Sequence, residues 1–120
     1  MGGLVLAVDD SISMRQMVKL TLSSAGYSVV EAEDGQQALE YARENSVDLV
    51  ITDVTMPRMD GITLVNELRM LPNYKHTPLL VLTTESSPER KIAAKRAGAT
   101  GWIVKPFDPD KLLATLARVL

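Results

Sequence analysis

The sequence predicts an α/β fold in which helices cover both faces of a parallel β-sheet. Short apolar, partly β-branched runs recur along the chain, and such runs are typical of strands buried on both faces. A segment with helical features follows each run, which favours parallel strands joined by helical crossovers. Most of the runs stop at a charged or hydroxyl side chain. These three observations predict five strands and five helices in a single domain that spans residues 1–120.

The first half of the chain contains two predicted strand–helix units. A strand is predicted over Leu4–Val8, and Ser11 is placed to cap a helix from Ile12 to about Ser24. The apolar face of this helix is predicted to include Ile12, Met17, Leu20 and Leu22. The second strand is predicted over Tyr27–Val30, and Asp34 is placed to cap the second helix.

The central strand begins at Leu49 and stops at Asp53. Pro, Asp and Gly residues within 57–61 then predict a sharp turn. A third helix is predicted from about Ile62 to Met70, and residues 71–77 are predicted to form a loop.

The last third of the chain contains two further units. The fourth strand is predicted over Pro78–Leu82, and Pro88 suits the first turn of a helix that ends at about Ala97. The fifth strand is predicted over Gly101–Val104, and Asp108 or Pro109 begins the last helix. The inward stripe of that helix is predicted to contain Leu112, Leu113, Leu116, Val119 and Leu120.

Right-handed crossovers and this strand count favour the flavodoxin-like, doubly wound strand order 2-1-3-4-5. That order brings Asp9 and Asp10 beside Asp53 at the carboxyl edge of the sheet. The fourth and fifth strands end at the same edge and deliver Thr83 and Lys105. Because ligands bind at this edge of open α/β sheets, the sequence predicts one functional cleft there.

The predicted cleft is suited to phosphoryl chemistry. Three crowded carboxylates repel one another, and a divalent cation would relieve the repulsion. A set of oxygen ligands selects a hard ion such as Mg²⁺. A carboxylate can attack phosphorus, while a metal ion and an ammonium neutralise the developing charge. Lys105 is the natural ammonium, and the Thr83 hydroxyl is a natural donor to the phosphoryl group.

These motifs together resemble the receiver domain of two-component response regulators, and the resemblance covers essentially the whole chain. It rests on Asp9-Asp10, Asp53 with Met56-Pro57-x-Met59-Asp60-Gly61, Thr83, and Lys105-Pro106-Phe107. Within the family the chain is most similar to the CheY-like, stand-alone chemotaxis regulators. The resemblance implies a cytoplasmic signalling protein that accepts a phosphoryl group and assists its own phosphotransfer and dephosphorylation, and that is not an enzyme acting on separate substrates.

The resemblance also implies a role for each residue of the cleft. Asp53 is implied to be the phosphoacceptor. Asp10, Asp53 and the backbone carbonyl of Thr55 are implied to ligate Mg²⁺, and Asp9 to act mainly through a bound water. Lys105 is implied to pair with the phosphoryl group or, before phosphorylation, with Asp53.

In the family, activation couples the threonine at the position of Thr83 to an aromatic residue of the fifth strand, which here is Trp102. Two interpretations stay open: Trp102 turns inward after phosphorylation, or it is a constant, partly exposed anchor on a partner surface. Thr55 and Glu85 occupy positions that tune the lifetime of the phosphoryl group, and a cis peptide is implied before Pro106.

The implied partners are a CheA-like sensor histidine kinase and a downstream protein. The downstream protein would bind the face formed by the last two helices and the fifth strand, as at a flagellar motor switch. The fourth helix carries a basic face, made of Arg90, Lys91, Lys95 and Arg96. This face is either simply solvated or docks an acidic partner segment. His76, in a loop, is expected to be exposed and to have no phosphorelay role.

Composition excludes several other classes. A net charge of −2 provides no electrostatic footprint for nucleic acid. The absence of cysteine excludes thiol chemistry and suits the cytoplasm. The start of the chain, Met1-Gly-Gly-Leu4, lacks the features of a signal peptide, and no apolar run approaches the roughly 20 residues of a membrane span, so no membrane insertion is expected.

Three alternatives remain at this point. The protein could be a phosphorelay intermediate or a phosphate sink, or a receiver domain of a longer regulator. A more distant alternative is a Mg²⁺-dependent phosphohydrolase of the haloacid dehalogenase kind. That class expects a second Asp two residues after the nucleophile, where this sequence has Thr55.

Overall fold

The computed structural model describes residues 3–120, and Met1 and Gly2 of the predicted domain lie outside this range. The strands are β1 Leu4–Val8, β2 Ser28–Ala32, β3 Leu49–Thr52, β4 Leu79–Thr83 and β5 Gly101–Val104. The helices are α1 Ile12–Ser24, α2 Gly35–Glu44, α3 Gly61–Arg69, α4 Pro88–Ala97 and α5 Pro109–Val119. All paired strands are parallel, in the order β2-β1-β3-β4-β5, which confirms the predicted fold class and strand order.

The sheet separates two main cores because successive strand residues point to opposite faces. One core packs β1 and β3 against α2 and α3 and contains Leu6, Val50, Leu39, Leu64 and Leu68. The other packs the sheet against α1 and α5 and contains Val5, Leu49, Leu82, Leu22 and Leu116. The strands are therefore covered on both faces, and their carboxyl ends form an open edge. None of the helices formed by residues 3–120 combines the length and the hydrophobicity that a membrane span requires.

Every helix begins at a side chain that accepts a hydrogen bond from the first turn. These capping residues are Ser11, Asp34, Asp60, Ser87 and Asp108. The caps predicted at Ser11 and Asp34 are confirmed, and Pro109 follows Asp108 as the first helical residue. Each cap satisfies a backbone N–H that the helix itself leaves without a partner.

The predicted apolar face of α1 is wrong for three of its four members. Three of these side chains are mostly exposed: Ile12 (64%), Met17 (54%) and Leu20 (71%). The inward stripe is instead Met14, Val18 and Leu22. These residues are spaced by four and share one side of the helix, whereas Ile12, Met17 and Leu20 share the opposite side.

Several predicted boundaries move by one or two residues. β2 begins at Ser28 and continues to Ala32, because the ladder with β1 pairs Leu4 with Ser28 and Val8 with Ala32. β4 covers Leu79–Thr83 in place of the predicted 78–82, and α3 covers 61–69 in place of 62–70. Leu120 lies beyond the last turn of α5 and is 48% exposed, so it does not belong to the inward stripe.

The predicted loop 71–77 contains a short 3₁₀ turn at Pro72–Tyr74. Tyr74 is fully buried there, and its hydroxyl donates to the backbone carbonyl of Asn45 at 2.5 Å. His76, in contrast, is exposed, as predicted. The turn therefore contributes a core residue that the sequence pattern did not indicate.

The start of α2 is held to the β3–α3 loop by an ion pair. The buried carboxylate of Asp34 accepts from the backbone N–H of Gln37 at 2.8 Å and from Nε of Arg58 at 2.7 Å. Arg58 has a φ of 66°, a left-handed conformation that is uncommon for a residue other than glycine. The backbone hydrogen bond from Gln37 and the guanidinium of Arg58 lower the pKa of Asp34, although burial opposes them.

Asp34→Asn is expected to lower stability at neutral pH by about 1 kcal/mol, because Asn still caps the helix but loses the pair with a partly exposed guanidinium. A lowered pKa in the folded state means that this carboxylate stabilises the fold above about pH 4, and that its contribution is lost as pH falls through the folded-state pKa. Thermal melts from pH 6 to pH 2 should therefore show a shallower acid dependence in the variant. Glu33→Gln, at an exposed neighbour of Arg58, is the control and should change the acid dependence less than Asp34→Asn does.

Candidate functional site

Strand β1 ends at Asp9 and Asp10, on the rim of the cleft. Asp9 is buried, and Asp10 is exposed. One carboxylate oxygen of Asp9 accepts from the backbone N–H of Ser11 at 2.9 Å. The other accepts from Nζ of Lys105 at 2.7 Å. The Asp9 side chain is therefore fixed between its own turn and the end of β5, while Asp10 faces solvent.

Asp53 follows β3 directly, and its side chain is mostly buried in the same cleft. Its Oδ1 accepts from the backbone N–H of Val54 at 2.7 Å, and its Oδ2 accepts from Lys105 Nζ at 3.1 Å. The backbone N–H of Asp53 donates to the carbonyl of Val8 at 2.9 Å, which continues the pairing of β1 with β3. The sheet register thus places Asp53 next to the end of β1.

Carboxylate oxygens of Asp9, Asp10 and Asp53 lie within 4.8 Å of one another. The structure therefore brings together the three acidic side chains that the sequence placed at one edge. Separately, a close approach of two backbone segments is possible only because residue 61 is glycine: a Cβ at Gly61 would lie 1.9 Å from the carbonyl oxygen of Asp53. Gly61 thus lets the β3–α3 loop fold back against the strand end.

Lys105 bridges two carboxylates, whereas the sequence predicted only the contact with Asp53. Its Nζ approaches both Asp9 and Asp53, and all three side chains are at most 12% exposed. Burial alone would lower the pKa of Lys105, but the hydrogen bonds and negative charges of the two carboxylates outweigh burial and raise the pKa. Lys105 is therefore an ammonium at neutral pH. The Lys105–Pro106 peptide is cis, as the resemblance implied.

Thr83 is buried at the end of β4, and its backbone carbonyl accepts from the backbone N–H of Lys105 at 2.8 Å. Its hydroxyl oxygen accepts from the backbone N–H of Glu85 at 3.2 Å. The Glu85 carboxylate in turn accepts from the backbone of Ser86 and Ser87, at 3.1 and 3.2 Å. The Glu85 side chain thus folds onto its own loop, and the side chain of Thr55 is exposed near Asp53.

Trp102 lies on the α4 side of β5 and packs against a buried cluster made of Val54, Val81 and Ala94. It lines a groove of about 360 Å³ between α4 and β5. Lys91 and Lys95 also line this groove. Within residues 3–120, the buried indole N–H of Trp102 has no hydrogen-bond acceptor. The indole is therefore partly buried and faces a basic groove, and it packs against a cluster that includes the residue that follows Asp53.

Because Trp102 is the only tryptophan, its fluorescence is a direct probe of the cleft. Val54 follows Asp53 and belongs to the buried cluster against which the indole packs. Because a ligand on Asp53 should disturb this cluster, titration with Mg²⁺ or with beryllofluoride is expected to change the emission intensity in a saturable way. Asp53→Asn should remove the beryllofluoride response. A silent titration of a protein that calorimetry shows to bind Mg²⁺ would contradict this coupling.

The donor set of the cleft fits Mg²⁺. The candidate ligands are carboxylate oxygens with different burial, and Asp10 remains accessible to a partly hydrated ion. Mg²⁺ keeps several waters and takes one or two carboxylates together with phosphate oxygens. A bound dication would also offset the mutual repulsion of three acidic groups for which Lys105 provides a single positive charge.

Arg15 was not predicted to belong to this site. Its guanidinium contacts the backbone carbonyl of Asp9, and its side chain lines the cleft beside Asp9 and Asp53. A contact with a main-chain oxygen leaves no pattern in the sequence. The only available signal was an arginine inside a helix that begins next to the two aspartates.

Comparisons with known proteins agree with this geometry. Residues 5–117 match the family model described as the response regulator receiver domain. The chain is 42% identical over 118 residues to chemotaxis protein CheY1 of Helicobacter pylori, covering 97% of this chain and 95% of that protein.

Two solved structures extend the comparison. Chemotaxis protein CheY4 of Vibrio cholerae superposes with a TM-score of 0.94 at 56% identity, over 100% of both chains. The receiver domain of the sensor histidine kinase PA1611 of Pseudomonas aeruginosa superposes with a TM-score of 0.91 at 28% identity, over 98% of this chain and 97% of that chain. That second structure holds a magnesium ion in its active-site cleft.

Proposed function

The chain belongs to the response regulator receiver domain family and is CheY-like, and from this membership we propose that Asp53 accepts a phosphoryl group from the phosphohistidine of a sensor kinase. The observation that carries the proposal is the convergence of Asp9, Asp10 and Asp53 around the ammonium of Lys105. Phosphorylation then changes the affinity for a downstream protein. The protein acts as a signalling component and not as an enzyme with separate substrates.

In the proposed transfer, a carboxylate oxygen of Asp53 attacks phosphorus as the P–N bond to the kinase imidazole breaks. The imidazole leaves with its electron pair and takes a proton from solvent. Lys105 moves from its contact with Asp53 to the phosphoryl oxygens and neutralises part of their charge. The Thr83 hydroxyl, at the end of the neighbouring strand, then donates to the phosphoryl group.

Asp10, Asp53 and the backbone carbonyl of Thr55 would hold Mg²⁺, with Asp9 acting through a water. The bound ion supplies charge neutralisation for the phosphoryl oxygens. Thr55 and Glu85 flank the cleft from two loops, and substitutions at these positions should change the lifetime of the phosphoryl group without removing the ability to accept it.

The groove between α4 and β5 supports an output surface on the face formed by α4, β5 and α5. Lys91 and Lys95 give the groove positive charge, and the indole of Trp102 offers a large apolar contact. The proposed partner is therefore a protein segment with acidic and apolar side chains, such as one from a flagellar motor switch. A CheA-like kinase is the proposed phosphoryl donor, and a cytoplasmic location is part of the same proposal.

The proposal is tested by incubating the protein with a labelled, phosphorylated kinase in Mg²⁺ or in EDTA. Label is expected to move to this protein in Mg²⁺ only. Phosphorylated and unphosphorylated protein are then tested for binding to motor-switch and kinase fragments. Phosphorylation-dependent capture of the motor-switch fragment supports the chemotaxis role, whereas onward transfer to a second histidine would replace it with a phosphorelay role.

A further inference from the structure

The guanidinium of Arg15 connects three segments beneath the acidic cluster. Its Nη1 donates to the backbone carbonyl of Asp9 at 2.5 Å, and its Nε donates to Glu31 Oε1 at 3.1 Å. The side chain is 12% exposed, and Glu31 also pairs with Lys19 at 3.6 Å. Arg15 thus joins α1 and β2 to the turn that carries Asp9 and Asp10.

The main chain of Asp9 is therefore held on both sides. Its N–H donates to the carbonyl of Ala32 at the end of β2, at 3.1 Å, and its carbonyl receives Arg15. The carbonyl of Asp9 belongs to the peptide unit that leads into Asp10. Fixing that carbonyl fixes the orientation of this peptide, and with it the direction in which the exposed Asp10 side chain leaves the turn.

We propose that Arg15 is a positioning residue for Mg²⁺ at this site: it acts through the backbone of Asp9 and the pair with Glu31 and does not touch the metal. The inference rests on the metal site of the proposed function. A ligand turn held in the binding geometry before the metal arrives loses less conformational freedom on binding.

The electrostatic effect of Arg15 on Mg²⁺ affinity is opposite in sign to its proposed positioning effect, so measured affinities can distinguish the two. A guanidinium close to the site repels a dication, so its removal would by electrostatics alone strengthen Mg²⁺ binding. Loss of positioning would weaken binding. Arg15→Lys separates the two effects further, because Lys keeps the positive charge but its single ammonium does not reproduce the planar fork that contacts Asp9 and Glu31 together.

The experiment is isothermal titration calorimetry of the metal-free full chain with Mg²⁺, at a temperature at which melts show each variant to be folded. Arg15→Ala and Arg15→Lys are both expected to weaken Mg²⁺ binding about tenfold. Glu31→Gln releases the guanidinium from its carboxylate partner and leaves no cavity. It also removes a negative charge, so both effects should weaken Mg²⁺ binding by a smaller factor, and only an unchanged affinity is informative for this variant. Lys19→Ala removes the other partner of Glu31 but not the contact with Asp9, and should bind as wild type.

The measured Mg²⁺ affinities decide between a positioning role and a purely electrostatic role for Arg15. Tighter binding by Arg15→Ala with unchanged binding by Arg15→Lys would show a purely electrostatic role and overturn the inference. Wild-type affinity in both Arg15 variants, or in Glu31→Gln if neither Arg15 variant folds, would also overturn it while leaving the proposed function intact. Failure of the wild-type protein to bind Mg²⁺ would instead remove the metal site itself, and the inference with it.

Discussion

Asp53→Asn is expected to abolish phosphorylation completely, with no label detected from acetyl phosphate or from a phosphorylated kinase. An amide oxygen is a far weaker nucleophile than a carboxylate, and the substitution also removes one negative charge from the proposed metal site. The fold should remain, because Lys105 keeps its shorter contact with Asp9 and the crowding of carboxylates decreases. The measurement is incorporation of radioactive phosphate in Mg²⁺, with melting temperatures recorded for both proteins.

Asp60→Asn is the matched control for this experiment. Asp60 is an aspartate of the same β3–α3 connection, but its side chain caps α3 by accepting from the backbone N–H of Thr63 at 2.8 Å. Asn caps a helix almost as well as Asp, so labelling should persist. Label that survived Asp53→Asn would move the acceptor to another residue and contradict the proposed function.

The features of the site that follow from strand ends were predictable from the sequence. Most of the apolar runs stop at a polar residue, and parallel strands present their carboxyl ends at one edge, so the topology alone brings Asp9, Asp53, Thr83 and Lys105 together. The order and direction of the strands, and the sheet edge at which their polar residues meet, follow from the hydrophobic runs and the right-handed crossovers. No side-chain geometry is needed for that inference.

What was missed depends on contacts that a one-dimensional pattern does not contain. α1 has apolar residues on two sides, so the sequence pattern alone does not show which side faces the core. The side that packs inward carries Met14, Val18 and Leu22, and Ile12 lies on the other side. Tertiary packing brings Arg15 to the backbone carbonyl of Asp9, and it brings Lys105 to a second carboxylate, that of Asp9. Tyr74 is in the core because a short 3₁₀ turn directs it there.

The pairing of Lys105 with two carboxylates changes what its removal should do. Lys105, Asp9 and Asp53 are each about nine-tenths buried, so Lys105→Ala leaves two nearly buried carboxylates facing each other, with Asp10 nearby. Removing one partner of a buried ion pair costs about 3 kcal/mol or more because a charge stays buried without compensation. The metal-free variant should therefore melt about 10 °C below the wild-type protein.

Saturating Mg²⁺ is expected to recover much of this loss, because a dication can replace the missing positive charge. The variant should gain more in melting temperature from Mg²⁺ than the wild-type protein does, and it should bind the ion more tightly since a competing cation is gone. It should still accept a phosphoryl group on Asp53. Phosphorylation of the variant should leave its affinity for the downstream partner unchanged, because the variant has no Lys105 ammonium to move from Asp53 to the phosphoryl oxygens.

Lys111→Ala, at an exposed lysine of α5, is the control for the loss of one positive charge, and its melting temperature should stay close to wild type with or without Mg²⁺. Calorimetric melts in EDTA and in Mg²⁺ give the stability result, and partner binding before and after phosphorylation gives the signalling result. Equal Mg²⁺ stabilisation of Lys105→Ala and wild type would show that Lys105 does not substitute for the metal charge. An unaltered partner response would show that Lys105 does not couple phosphorylation to output.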